Sequence, residues 1–426
     1  MIARRVSVLA VTAFSLFASP IEAATSYVHA GKLIDSIQGR VLSDQLVTIV
    51  DGKVASVGPW SGAPDGGPVT DWSGYTVLPG LIDTHTHITD YGENGNIAEP
   101  LMHSQAETAL HATLNARLTL RAGFTTVRDV GTYRPLTDVA LRDAINAGWV
   151  EGPRMKVAGA YITVPGGGGD LSGFAPDIAL PDSMRIGVVT SADDTRLKVR
   201  YLFQHHVDFI KLIATGAVLQ AGTEPGAQEL SEAEMRAAVE EAAQYGSYAI
   251  AHAHGAAGIK SAIRAGVRSI EHASLIDDEG IRMAKAKGVW LSMDIYNGDY
   301  IATYGKEHGW PAEELRKNDE TTATQRAGFR KAVKAGVHIT FGTDEGVYPY
   351  GENAKQFPYM VRYGMTPMQA IQSATIEPSR LMRWDEVGAI APGRFADMVA
   401  VAGDPLADIS ILEQPAAVMK GGEVVR

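Results

Sequence analysis

The stretch Leu81-Ile82-Asp83-Thr84-His85-Thr86-His87-Ile88 decides how the rest of the chain is read. It follows Thr76-Val77-Leu78-Pro79-Gly80, and the run 76–88 has the apolar, β-branched character of a buried strand. Side chains two apart on a strand leave the same face. His85 and His87 therefore address one point at the strand's carboxyl end, and neutral imidazole is the commonest metal ligand among side chains. A single His-x-His is weak. Its weight depends on whether later strands bring matching groups to the same place.

The middle of the chain alternates strand-like and helix-like segments. Strands are expected at 76–88, 125–130, 155–163, 208–214, 248–254, 268–273, 289–295 and 338–344. Helices are expected at 104–122, 136–147, 191–206, 231–245, 256–265, 277–287, 312–335 and 366–374. Ser231 with Glu234 reads as a capping box, and Thr366-Pro367 as an N-cap followed by Pro at N1. Eight strand–helix units over about 300 residues have the rhythm of a (β/α)8 TIM barrel. The rival, an open doubly wound sheet, lacks a Gly-x-Gly-x-x-Gly after its first strand.

A barrel gathers its strand ends on one face. The fourth strand carries Lys211 between Phe209-Ile210 and Leu212-Ile213. The fifth carries His252 and His254, the sixth ends Glu271-His272, and the eighth ends Thr343-Asp344-Glu345. Taken singly, each has an ordinary role. A strand histidine can be satisfied by hydrogen bonds, a lysine can snorkel outward, and an aspartate can close a turn. Six such groups at five strand ends, His85, His87, Lys211, His252, His272 and Asp344, outweigh those separate explanations.

Both ends of the chain read as short strands with turn signals. Residues 26–77 include Val41–Val50 and Val54–Val57 around the hairpin signal Asp51-Gly52, and 386–426 repeat the pattern. One small β-sandwich built from both termini is expected. The predicted organisation is a signal peptide over 1–23, the first half of the sandwich over 24–77, the barrel over 78–380 and the sandwich's second half over 381–426.

With 426 residues and 45% hydrophobic content the chain can bury a large core. A net charge of −11 speaks against nonspecific nucleic-acid binding. Met1-Ile2-Ala3-Arg4-Arg5, apolar Val6–Ala18 and the small-residue end Ser19–Ala24 read as a secretory signal cleaved after Ala23. The apolar run is shorter than the ~20 residues of a membrane span. A secreted or periplasmic chain of charge −11 − 1 = −12 is expected, since removal takes Arg4, Arg5 and Glu22. There is no cysteine, so no disulfide and no thiolate are available. Any metal must be held by His, Asp, Glu or a modified Lys.

The pattern resembles the amidohydrolase superfamily, in its binuclear, carboxylated-lysine type. The resemblance is strongest to the prolidase-like and imidazolonepropionase-like group, which includes Xaa-Pro dipeptidase-type metallo-carboxypeptidases and ochratoxin-hydrolysing amidases. It covers about residues 26–426. Besides the six groups above it rests on Gly123-Phe124-Thr125-Thr126-Val127-Arg128-Asp129, on Gly342-Thr343-Asp344 with Tyr348-Pro349, on Gly364-Met365-Thr366-Pro367, and on 388–397. The resemblance implies that His85, His87 and Asp344 hold one divalent ion and His252 and His272 a second. Lys211, as a carbamate formed from carbon dioxide, bridges both. An apolar strand lowers a lysine's pKa by desolvation, which leaves the neutral amine that such a reaction needs. Zinc suits these N/O ligands. Water activated between the ions would attack an amide carbonyl, with Asp344 carrying the proton to the leaving nitrogen.

His252 and His254 compete for the fifth-strand ligand position. The 20-residue interval from His252 to His272 favours His252, which leaves His254 to contact the substrate carbonyl. Substrate-binding candidates are Tyr296 and Tyr300 after the seventh strand, Arg128 after the second, and Gly168 in the loop Tyr161–Gly173. Arg128 reads equally as half of a buried ion pair. Relatives often carry His where Gly168 stands. Tyr348 and Tyr350 are further candidates. The expected reaction is cleavage of an amide or peptide bond next to a free carboxylate, in dipeptides or N-acyl amino acids and extending to ochratoxin A. The alternatives are an imidazolonepropionase- or deaminase-like reaction and a lactonase or esterase on the same barrel. Gly255 stands where such deaminases carry Glu in His-x-x-Glu, which favours the two-metal form. A binding protein without catalysis is the rival of another class. The resemblance also implies a homo-oligomer, often an octamer among such proteins.

Overall fold

A computed structural model describes residues 24–92, 96 and 98–426. The signal-peptide reading of 1–23 lies outside the described residues. The chain opens with β1 (Thr25–Asp35), β2 (Arg40–Val50), β3 (Lys53–Pro59) and β4 (Val69–Pro79). Asp51 and Gly52 turn β2 into β3 with φ of 49° and 74°. Two positive φ angles in succession match the twist of a two-residue hairpin, and Asp-Gly is a preferred pair there.

Nine parallel strands follow among the described residues: β5 (Leu81–Thr86), β6 (Phe124–Asp129), β7 (Arg154–Val157), β8 (Tyr161–Ile162), β9 (Ile210–Ile213), β10 (Ala249–Ala253), β11 (Ser269–His272), β12 (Trp290–Ser292) and β13 (Ile339–Thr340). They form a three-stranded sheet, β5-β6-β7, and a six-stranded sheet in order β8 to β13. Every pairing is parallel. The predicted third strand, 155–163, is β7 plus β8, broken at Gly159, whose φ is +76°. Backbone hydrogen bonds tie the last strand to the first: Thr84 N–H donates to Phe341, Asp344 N–H to His85 and His87 N–H to Glu345.

The chain ends with β14 (Met398–Val401), β15 (Ala417–Lys420) and β16 (Glu423–Val424). These join the first four strands in one seven-stranded sheet, β16-β15-β14-β4-β1-β2-β3. Both termini do build one unit, but its strands hydrogen-bond as a single sheet rather than two separately paired ones. The expected strand 76–88 is also two strands. Val77 pairs with Ala400 in the terminal sheet, and only Leu81 onward belongs with the parallel strands. Gly80 separates them, because a Cβ there would stand 2.0 Å from Thr125 Oγ1.

Helices lie between the parallel strands close to their expected bounds, including Gln105–Arg121, Glu232–Gln244, Ala256–Ala265 and Ala312–Ala335. Ser231 with Glu234 and Thr366 with Gln369 both close as capping boxes. The helices' apolar faces and the parallel strands share a core with Leu81, Phe124, Leu212, Ile270 and Phe341 fully buried. A second core under the terminal sheet holds Val28, Val47, Trp72 and Met398.

Candidate active site

The carboxyl ends of β5, β9, β10, β11 and β12 and the turn after β13 meet at one end of the parallel strands. His85 and His87 both reach Asp344: His85 Nε2 lies 3.3 Å and His87 Nε2 3.2 Å from the same Asp344 Oδ1. His85 Nε2 is buried and makes no hydrogen bond among the described residues. Two ligand atoms each ~2.1 Å from a tetrahedral zinc stand about 3.4 Å apart. The three side chains therefore fit one cation.

His252, His254 and His272 form a second group whose ligand atoms lie within 4.8 Å of one another, and His272, Asp294 and Asp344 form a third. The rings of His85 and His272 are 4.8 Å apart, so the groups adjoin. His252 turns Nε2 to the Gly216 carbonyl at 3.3 Å, which leaves Nδ1 for a ligand. His254 places Nδ1 2.8 Å from Ser274 Oγ, which leaves Nε2 for the cavity. His272 and Asp344 have φ of 67° and 60°. Left-handed backbone in residues other than glycine costs free energy, and such strain clusters at functional sites.

Lys211 lies at the floor, 1% exposed. Among the described residues no hydrogen bond or ion pair holds its Nζ. Burial brings its ammonium down to about 8, against the opposing fields of Glu271 and Asp344. Burial also pushes the Asp344 carboxyl up, but the field of His85 and the close approach of both imidazoles outweigh it and hold the group well below the usual range. Burial lowers His254 to about 3 and His252 well below an ordinary imidazole.

Behind these groups stand residues that the sequence did not single out. Glu271 Oε2 lies 3.1 Å from His85 Nδ1 and orients that ring. Asp294, after β12, lies 3.1 Å from His272 Nδ1 and accepts from Gln325 Nε2 at 2.9 Å and Asn297 Nδ2 at 3.1 Å. Tyr161 Oη and the Gly131 carbonyl hold His87 Nδ1 at 3.0 and 2.7 Å. Asp294 had a usable signal, since it sits at a predicted strand's carboxyl end as Asp344 does.

Three expected substrate contacts are corrected. Arg128 is fully buried and donates through Nη2 to both Glu271 oxygens at 2.9 Å, away from the cavity. Tyr296 packs on Tyr348 and Tyr359, and Tyr300 on Tyr304 and Tyr348. None of these three lines the cavity. Its aromatic wall is Tyr91, Tyr133, Tyr161 and Trp310. Gly168 does line the cavity, but its N–H is committed to Glu229 Oε2 at 2.8 Å. Tyr348 is fully buried, and Tyr350 Oη donates to the His87 and Asp90 carbonyls.

The cavity above the histidines has a volume of about 260 Å³. His85, His87, Lys211, His252, His254, His272 and Asp344 all face it. No helix among the described residues is long and apolar enough to cross a membrane.

Known proteins share this architecture across nearly the whole chain. The ochratoxinase of Aspergillus niger is 29% identical, over 96% of this chain and 88% of its own length. The crystal structure of a Xaa-Pro dipeptidase with bound methionine in the active site has a TM-score of 0.88 at 36% identity, covering 94% of this chain and 99% of that one. A prolidase complexed with N-methylphosphonate-L-proline matches with a TM-score of 0.88 at 28% identity, over 95% of this chain and 100% of the other. The expected resemblance is met, to a family that is metal-dependent in general. With residues 76–425 matching its family model, the chain belongs to the amidohydrolase family.

Proposed function

We propose that the chain is a two-metal amidohydrolase on a (β/α)8 barrel that cleaves an amide or peptide bond next to a free carboxylate. Its substrates would be dipeptides or N-acyl amino acids, with ochratoxin A inside that class. The observation that carries this reading is the pair of imidazole nitrogens 3.3 and 3.2 Å from one Asp344 oxygen, beside a buried lysine that no hydrogen bond or ion pair holds among the described residues. The relatives' methionine and prolyl phosphonate agree with a substrate that yields a free amino acid.

In this reading His85, His87 and Asp344 would hold one ion and His252 and His272 the other, and Lys211, as a carbamate, would add a carboxylate-like ligand. Bound there, two divalent ions would supply Lewis acidity and a water that ionises near neutral pH. Asp344 is held ionised, so it can accept a proton and pass it to the leaving nitrogen. Its second oxygen lies 3.4 Å from Asn297 Nδ2, which steadies the carboxylate as the proton moves. Ser274 can donate to His254 Nδ1, and that bond fixes the tautomer carrying a proton on Nε2. This N–H can donate to the carbonyl oxygen as charge develops on it. Tyr133 and Gln220, 3.2 Å apart on the wall, are neutral groups able to meet the substrate's carboxylate. Residues 1–23 would export the chain.

The test is hydrolysis of a dipeptide and N-acyl amino acid panel by protein reconstituted with zinc and bicarbonate. Release of the C-terminal amino acid from at least one class supports the reading. No turnover of any member overturns it.

A further inference from the structure

The long helix Ala312–Ala335 lays a polar stripe along the cavity: Glu314, Asn318, Thr321 and Gln325, spaced by four, three and four residues. That spacing keeps all four on one helix face. Gln325 ends the stripe at the floor, donating to Asp294 and to the His272 carbonyl. Asn318 is spent on the Gly298 carbonyl at 2.9 Å. Glu314 ends it at the outer end, about 16 Å up the helix axis at 1.5 Å per residue.

Glu314 is 3% exposed, and its Oε2 is buried with no hydrogen-bond partner among the described residues. The nearby cation lends it a favourable field but bonds elsewhere. Lys317 Nζ pairs with Glu313 at 3.0 Å and donates to the Gln220 and Thr223 carbonyls. A buried carboxyl left unpaired is costly, so its retention at a cavity wall points to a ligand that pairs with it. The rest of the lining agrees. Asp90 and Glu99 add two more carboxyls, and among the described residues no arginine and no lysine besides Lys211 lines this cavity. Leu219, Ile301 and Trp310 add apolar surface to the lining, which suits an aliphatic stem.

We propose that the substrate carries a cationic group, a protonated amine or guanidinium, that seats against Glu314 at the outer end of the cavity. This rests on the amide-hydrolase reading and narrows it to basic substrates. The axial offset from the floor assigns the seat to the far end of the substrate rather than to the bond being cleaved.

The experiment compares matched neutral and cationic pairs on the metal-loaded enzyme: Gly-Lys with Gly-norleucine, Lys-Gly with norleucine-Gly, and tripeptides with a free or acetylated amino end. The first two pairs read a basic side chain on either side of the bond, and the last reads a terminal amine. A charge-assisted hydrogen bond is worth about 10- to 100-fold. The expected result is a preference of that size for the cationic member of at least one pair, carried mainly by KM. Glu314→Gln should abolish the preference, and Glu314→Asp should keep part of it. Equal rates within every pair, or a preference that survives Glu314→Gln, would overturn the proposal. If nothing is hydrolysed, the amidase reading falls alone, and calorimetric binding of lysine amide against norleucine amide decides the seat. Tighter lysine amide binding that Glu314→Gln removes supports it, and equal binding refutes it.

Discussion

Replacing Arg128 with methionine tests the buried support beneath the candidate ligands. Arg128 and Glu271 are both 0% exposed. The guanidinium makes two bonds of 2.9 Å to Glu271, one of 2.6 Å from Nε to the Thr84 carbonyl and one of 3.1 Å to Ser269 Oγ, and it packs 5.7 Å from the centre of the Phe209 ring. Arg128→Met leaves a buried carboxylate whose remaining partners are Ser269 and His85. Breaking such a pair from one side costs about 3–5 kcal/mol. Removing both charges with Arg128→Met and Glu271→Leu should return most of that loss, because a buried pair exchanged for apolar residues is often neutral in stability. The double variant still deprives His85 Nδ1 of its acceptor, so its metal affinity should fall about 10- to 100-fold. Urea unfolding of the metal-free proteins gives the stabilities, and competition with a chelator gives the affinities. A single variant that loses less than about 1 kcal/mol, or a double variant that binds metal as the parent does, would refute the reasoning. An Arg128→Met effect confined to KM would restore substrate contact as its role.

Three further outcomes follow from the geometry. His252→Ala should lower metal content, whereas His254→Ala should keep both ions and lose about 10²- to 10³-fold in kcat, the size expected for a lost oxyanion donor; metal analysis beside kinetics separates the two, and the reverse pattern would exchange their roles. Lys211→Ala should lose activity and second-ion affinity, and added propionate should restore part of both by filling the emptied space with a carboxylate; activity indifferent to the substitution would remove the carbamate. Glu314 provides a pH test without substrate. Burial raises it to about 7, with Lys317 opposing and Glu313 adding, and Tyr133 is the titratable group across the cavity that feels its charge. The folded state then holds the proton more tightly than the unfolded one, so stability falls as pH rises from ~4.3 to ~7. Glu314→Gln should therefore gain on the parent over that window, by an order of 1–3 kcal/mol, and parallel pH profiles of unfolding would contradict it.

The clustered histidines were legible because a strand's two-residue period and a parallel strand set fix where His85, His252 and His272 emerge. The capping boxes and the Asp51-Gly52 hairpin were legible because their signals are local. What stayed hidden depends on pairing across the fold. Glu271 alternates with His272, so the strand pattern sends it away from the cavity, and its role appears only once Arg128, 143 residues distant, lies beneath it. Tyr296 and Tyr300 were chosen for nearness to a strand end, yet the short helix Asn297–Tyr300 turns them into an aromatic cluster with Tyr348. The split of 76–88 falls at Pro79-Gly80, where both flanks read as strand, so which sheet each flank joins depends on partners far along the chain. Pro79 still pairs with Met398 in the terminal sheet, whereas Leu81 pairs with Phe124 among the parallel strands.

The central claim is that one site holds two ions, and metal stoichiometry tests it most directly. Protein purified without chelator and loaded with zinc and bicarbonate should carry two zinc ions per chain by inductively coupled plasma mass spectrometry, with His85→Ala and His272→Ala each carrying fewer. One ion per chain at full amide-hydrolysing activity would contradict the account.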